Sequence, residues 1–193
     1  MREKKYENGM IVGRFQPFHL EHLRFAAAAA RKVNHLWVGI TFPFGHYVHE
    51  MGKARTADEA NPLPYWLRLK CVESALLNDA KLSRGSFSIL AAPLVPGIIE
   101  TLVPKGTVYL ATVVEPWDKQ KEGIFLKAGF RVLLLKLGDK TISGTMIRKK
   151  IRLRDKSWKK YIPQSIRKQY AFLIDDYVCR ASCSGTYAAG VLR

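Results

Sequence analysis

The sequence predicts a single α/β domain, a five-stranded parallel sheet covered by helices on both faces with further helices after the last strand. Three observations carry that prediction. Short apolar runs alternate along the chain with segments of helical period, the pattern of strand-helix-strand crossovers rather than of hairpins. A chain of 193 residues suits one domain and can bury roughly 70% of the surface that its unfolded form exposes. No internal repeat, Pro-rich linker or second compositional block divides it, so residues 1–181 read as one unit and 182–193, small and polar, as a flexible tail.

Taken in order, Met10, Ile11 and Val12 form a buried first strand, and Leu23 to Lys32 a helix whose alanines allow close packing on a sheet. His35 to Ile40 is the second strand. Residues 41–62 carry Pro43, Gly45, Gly52 and Pro62 among charges and histidines, which predicts a long irregular connection of the kind that often serves as a lid. Leu63 to Asn78 is helical, with Leu67, Cys71, Ala75 and Leu76 at three-to-four spacing. Phe87 to Ala91 is the third strand, Ile98 to Val103 a short helix, Val108 to Ala111 the fourth strand, Trp117 to Ala128 a helix and Arg131 to Leu135 the fifth strand. Ser143 is placed to cap the next helix. A final amphipathic helix from Gln164 to about Val178 puts Ile166, Tyr170, Leu173, Ile174 and Tyr177 on one side.

Lysine and arginine number 32 against 16 acidic residues, a net charge of +16, which attracts anions without saying which. Residues 127–168 hold 14 of those basic residues and only Asp139 and Asp155 on the acidic side. Cys71, Cys179 and Cys183 lack metal-ligand pairing, and a reduced, cytoplasmic setting is the simple reading. The charged start (Arg2, Glu3, Lys4, Lys5) argues against a secretory leader, and no apolar run approaches a membrane span. The lack of a GxGxxG removes the main support for a dinucleotide oxidoreductase. His35, His46 and His49 have neither HExxH spacing nor flanking cysteines, so they read as loop residues and no protein-held metal site is expected.

Parallel sheets bind ligands beyond the carboxyl ends of their strands, where strand order reverses. The segment from Gly13 to His22 follows the first strand and opens a helix. A helix N-terminus presents backbone N–H groups without intrahelical partners and a partial positive charge, an anion site before any side chain is counted. His19 and His22, three apart, share one face of that first turn, and Arg14 adds a planar fork of donors suited to phosphate oxygens. After the fifth strand, Ile142-Ser143-Gly144-Thr145-Met146-Ile147-Arg148 brings a second helix N-terminus and a second arginine. The ligand that suits both is a nucleoside triphosphate.

Gly13-Arg14-Phe15-Gln16-Pro17-Phe18-His19 with His22, and Ile142 to Arg148 about 120 residues later, resemble the two signature motifs of the nucleotidyltransferase superfamily, especially archaeal-type nicotinamide mononucleotide adenylyltransferases and related cytidylyltransferases. The similarity runs from about residue 9 to 178 and extends to Asn61-Pro62, Arg68, Trp158 and Pro163. It implies a Rossmann-like fold and an enzyme that moves a nucleoside monophosphate from ATP or CTP onto a phosphate or phosphonate monoester by direct in-line attack, releasing pyrophosphate. By motif match, His19, His22, Arg14 and Arg148 act on the phosphates, and Gly13, Phe15, Ser143, Gly144 and Thr145 bind the nucleotide. Mg²⁺ would be held mainly by substrate phosphates and water. Related enzymes are often oligomers, so a homo-oligomer is a further expectation; no membrane partner is.

This chain departs from the pattern in places. Glu21 stands where the His-x-Gly-His motif has glycine; lying roughly 160° around the helix from His19, it is expected to point away from the site. The asparagine and tryptophan that archaeal relatives use for the nicotinamide ring are missing from Leu94 to Leu102, and Ala60 replaces the arginine before Asn61-Pro62, with Arg55 or Lys53 as substitutes. Thr112 to Asp118 replaces a short Gly-Asn after the fourth strand, which makes Glu115, Trp117 and Asp118, with Arg55, candidate acceptor contacts. The acceptor stays open between nicotinamide mononucleotide and a smaller phosphate or phosphonate. The rival reading is a nucleic-acid-binding protein on a non-catalytic scaffold, resting on Lys149, Lys150, Arg152, Arg154, Lys156, Lys159 and Lys160. No helix-turn-helix, zinc finger or aromatic RNA-binding motif accompanies them, and a basic face that steers a triphosphate inward is more economical.

Overall fold

The computed structural model describes residues 5–42, 58–95, 97–112, 116–139 and 141–183, with only the backbone of Asp58, Pro116, Trp117, Ser182 and Cys183. His46, His49, Lys53, Arg55 and Glu115, and the tail from residue 184 on, lie outside the described residues.

Five strands, β1 (Tyr6–Gly13), β2 (Val33–Ile40), β3 (Phe87–Ala91), β4 (Val108–Ala111) and β5 (Arg131–Leu134), form one sheet in the order β3-β2-β1-β4-β5. All four pairings are parallel, with Gly13 opposite Ile40 and Met10 opposite Tyr109. The chain walks outward from β1 to β3, then returns to the other side of β1 for β4 and β5. The order reverses between β1 and β4, and a crevice opens there at the carboxyl ends.

Alternate residues of each strand serve opposite faces. Ile11, Leu36, Val38, Ile40 and Leu110 pack on one side beneath α1 (Leu20–Ala30) and α2 (Tyr65–Ser74), joined by Ile147 of α4 (Gly144–Arg152), Ile166 of α5 (Gln164–Gln169) and Ile174 of α6 (Ala171–Cys183). Met10, Val12, Tyr109 and Ala111 pack on the other, against Phe125 of α3 (Pro116–Lys127) and Phe130. The Tyr109 and Phe125 rings stack at 3.6 Å. Burying such side chains contributes about 1.5–3 kcal/mol each. The alanines of α1 bring that helix close to β2, and Gly39 does the same for the opposite face: a Cβ there would lie 2.7 Å from that of Ala92.

The structure changes several expected boundaries. α1 starts at Leu20 because His19 is extended (φ −131°, ψ 175°) and takes the cap position. The expected helix at 98–103 is one 3₁₀ turn, Ile99–Thr101, closed by the Thr101 hydroxyl donating to the Ile98 carbonyl at 2.7 Å and stopped by Pro104. The helix expected from Leu63 to Asn78 begins after Pro64 and widens into a π turn at Ala75–Asp79. The last helix is two: Tyr170 leaves helical geometry (φ −127°), and the bend lets Ile166, Ile174 and Val178 all reach the core. A 3₁₀ run at Lys156–Tyr161, capped by Asp155, buries Trp158. Helix α6 continues through residue 183, into the stretch expected as tail. No helix among the described residues is long and apolar enough to cross a membrane.

Candidate active site

At the end of β1 the backbone turns sharply. Phe15 has a left-handed φ of 53°, as does Phe42 at the end of β2. Both turns are held from beneath by Arg68 of α2, whose Nη1 donates to the carbonyls of Arg14 (3.0 Å) and Thr41 (2.7 Å) and whose Nη2 donates to that of Phe42 (2.7 Å). Gln16 fixes the next connection: its Nε2 donates to the Leu63 carbonyl at 3.1 Å and its Oε1 accepts from the Leu63 N–H at 2.9 Å. Phe18, fully buried, pins the loop to the core and leads the chain into α1. The Gly13 position is needed for packing, since a Cβ there would lie 2.6 Å from the Phe15 ring.

His19 and His22 stack with ring centroids 3.6 Å apart, and the His19 backbone N–H donates to His22 Nδ1 at 3.3 Å. The His22 ring meets Phe15 edge-on at 5.1 Å. Arg14 reaches Asn61, with Nη1 donating to Oδ1 at 3.5 Å. The aromatic neighbours fix the imidazoles, and the first turn of α1 adds its N–H groups beside them.

The second helix N-terminus arrives from the other half of the chain. Ser143 Oγ accepts from the Met146 N–H at 3.1 Å, the expected cap. Arg148, one turn into α4, is 5% exposed. Its Nη1 donates to the Gln16 carbonyl at 2.6 Å and its Nη2 to Thr145 Oγ1 at 3.2 Å, so the two motifs are in contact. Gly144 lies against the same carbonyl, where a Cβ would come within 2.7 Å.

These residues border one cavity of about 600 Å³ at the β1/β4 reversal. Gly13, Arg14, Phe15, His19 and His22 line it from one side and Ser143, Gly144, Thr145 and Arg148 from the other. Asp118, a candidate acceptor contact, lines it as well and pairs with Lys121 at 2.9 Å. Of the other candidates, Arg55 and Glu115 and the side chain of Trp117 lie outside the described residues. Lys121 and Lys136, both lining the cavity, were missed from sequence. Lys121 had a signal, its i,i+3 spacing from Asp118 on α3; Lys136 had none beyond its place after the fifth strand.

Glu21 does not point away. It lines the cavity, and its Oε1 accepts from the N–H groups of Thr141 (2.6 Å) and Ile142 (2.9 Å) and from Thr141 Oγ1 (3.2 Å). His19, the extended cap residue, does not belong to the helical wheel of α1, so an angle counted from it does not give the direction of Glu21.

Burial lowers Arg148 to about 10, helped by repulsion from Arg14 and then Arg152. Arg68 is also lowered to about 10, chiefly by burial, with Tyr65 acting the other way. Both stay cationic at neutral pH. Among the described residues neither forms an ion pair with a carboxylate; both are held by uncharged oxygens. At Arg148, which lines the cavity, this positive charge sits in partly desolvated surroundings, where it acts strongly on an anion. His35, by contrast, is spent on structure, contacting the Gly85 carbonyl at 3.2 Å and Ser88 Oγ at 2.9 Å. Burial pushes the Cys71 thiol up to about 12, as suits an inert core residue.

The chain is similar to known proteins in both sequence and fold. Residues 10–150 match the family model described as cytidylyltransferase-like. The phosphonoformate cytidylyltransferase of Streptomyces viridochromogenes is 32% identical over 162 residues, 82% of this chain and 87% of that protein. The nicotinamide-nucleotide adenylyltransferase of Thermococcus sibiricus is 25% identical over 166 residues, 82% of this chain and 80% of that protein. Among solved structures, a bifunctional NMN adenylyltransferase/ADP ribose pyrophosphatase from Francisella tularensis superimposes with a TM-score of 0.71 at 15% identity, covering 94% of this chain and 54% of that one. That likeness bears on the fold alone.

Proposed function

Since the chain belongs to the cytidylyltransferase-like family and is a nucleotidyltransferase, we propose that it moves a cytidylyl group from CTP onto a small phosphonate or phosphate monoester. The observation that carries this reading is the meeting of two distant anion-binding helix starts, with His19, His22, Arg14 and Arg148, around one cavity. The choice of cytidylyl transfer is supported by the 32% identical relative. It is also favoured by the lack of asparagine and tryptophan between Leu94 and Leu102, residues associated with nicotinamide binding in the archaeal adenylyltransferases.

In the proposed reaction an acceptor oxygen attacks the α-phosphorus in line while the bond to the bridging oxygen of the β-phosphate breaks, and pyrophosphate leaves with that electron pair. No covalent enzyme intermediate is needed. The chain's part is to hold both substrates in register and to neutralise charge that spreads over the phosphates. His19 and His22 would donate to phosphate oxygens, Arg14 and Arg148 would grip them, and the N–H groups opening α1 and α4 would complete the cradle. Gly13 and Phe15 would shape its floor and Ser143, Gly144 and Thr145 its far rim. Asp118 and Lys121 would meet the ligand from the α3 side.

Magnesium would enter with the triphosphate and neutralise part of its charge. Of the cavity's carboxylates, Glu21 is taken by backbone amides and Asp118 by Lys121. No group of three His, Cys, Asp or Glu gathers among the described residues. That donor set fits an ion carried by phosphates and water rather than by a protein cage. A second reading, adenylyl transfer from ATP to nicotinamide mononucleotide, is favoured by the archaeal relative.

Pyrophosphate release should be followed with Mg²⁺, each nucleoside triphosphate and a panel of acceptors that includes phosphonoformate and nicotinamide mononucleotide. CTP with a small phosphonate or phosphate is expected to turn over, and His19→Ala to lower the rate about 100-fold or more, as for loss of a preorganised donor. Turnover only with ATP and nicotinamide mononucleotide would establish the second reading. No turnover and no triphosphate binding would defeat both.

A further inference from the structure

Glu21 has no part in the proposed reaction, yet it lines the same cavity as the two histidines. Its Oε1 holds the amides of Thr141 and Ile142 at 2.6 and 2.9 Å. These are the two residues before Ser143, the cap of α4, which carries Thr145 and Arg148 to the same cavity. One turn further along α1, Arg24 Nη2 donates to the Asp139 carbonyl at 3.5 Å, on the same approach to α4. On the inner side the two motifs already touch, through Arg148 and the Gln16 carbonyl at 2.6 Å. α4 and its approach are thus tied to the first motif and α1 at three places, by Arg148 on the inner side and by Glu21 and Arg24 on the outer, with Glu21 making the shorter outer bonds.

We infer that Glu21 is a positioning residue whose carboxylate fixes the approach to α4 against the first turn of α1, and so sets the spacing between the two groups of phosphate donors. The inference rests on the nucleotidyltransferase reading of the cavity. The physical ground is that hydrogen bonds to an ionised acceptor are short and strong, while a misplacement of about 1 Å between catalytic groups costs on the order of 100-fold in rate. The bare negative charge would act the other way, repelling a triphosphate. Geometry and charge therefore make opposite predictions for a variant that keeps an acceptor oxygen and loses the charge.

Glu21→Ala and Glu21→Gln should be compared with the wild type using Mg²⁺ and the triphosphate and acceptor that the wild type turns over, together with amide hydrogen exchange at Thr141 and Ile142. Glu21→Ala is expected to exchange faster at both amides and to lose kcat by about 10-fold or more, with the KM for triphosphate changed less than about 3-fold. Glu21→Gln, which can still accept both N–H groups, is expected to recover kcat to within about 3-fold of wild type. Wild-type kcat in Glu21→Ala, or a Glu21→Gln as slow as Glu21→Ala, overturns the inference alone. A wild-type chain that binds no triphosphate overturns the functional reading and the inference together.

Discussion

Gly144 has almost no room for a larger residue. A Cβ at this position would lie 2.7 Å from the Gln16 carbonyl and 3.2 Å from Arg148 Nη1. The carbonyl is backbone in a loop already fixed by the Gln16 side chain on Leu63, so it cannot yield cheaply. Gly144→Ala is expected to push the start of α4 outward, costing about 1–3 kcal/mol of stability and most of the turnover; denaturant unfolding and pyrophosphate release measure the two. At this scale the sequence was legible wherever chemistry follows from local spacing: the two histidines three apart and the Ser143 cap were both readable. It was opaque wherever a side chain finds a partner far along the chain. Arg68 on three strand-end carbonyls, Gly144 against Gln16 and Glu21 on Thr141 all depend on contacts that no local pattern encodes.

Among the elements, the 3₁₀ run at Lys156–Tyr161 is held at its start by Asp155, whose Oδ1 accepts from the Ser157 N–H at 2.9 Å and whose Oδ2 pairs with Lys150 at 2.6 Å. The hydrogen bond from Lys150, then those from Ser157, hold the Asp155 carboxyl well below the usual carboxylate range. The same contact raises Lys150. A carboxyl depressed in the folded state stabilises above its ordinary value of about 4 and loses that contribution as pH falls through the folded value. The raised lysine stabilises below its ordinary value of about 10.4 and loses its contribution as pH rises through the folded one. Asp155→Asn should therefore melt lower than wild type between those limits, with the gap closing in acid; melting curves across pH check this. The five strands were legible because each is a short apolar run between breakers. The 3₁₀ run was not, since only Trp158 in it is buried and its lysines mask any period. The break at Tyr170 escaped detection for the opposite reason, because the apolar stripe continues across it.

For the molecule as a whole, the net charge of +16 and the Arg148 guanidinium lining the cavity have the same sign as the pull needed for anionic substrates. Attraction at a distance is screened within about 8 Å at 0.15 M salt, whereas contacts in the cavity are screened less. Raising ionic strength is thus expected to lower kcat/KM for the triphosphate while kcat changes little, measured by initial rates in a potassium chloride series. The fold class was legible at this scale because crossovers force a parallel sheet. The strand order needed the pairings themselves, whereas the crevice was already placed beside the segment after the first strand. The two motifs follow strands in separate halves of the sheet that join through β1 and β4, where only Gly9 with Val108 and Met10 with Tyr109 are paired. A nascent chain on the ribosome that has yet to emit Arg148 carries half of a cradle. Catalytic competence under the proposed reading must then arrive abruptly, once Arg148 has emerged, rather than growing as the polypeptide lengthens.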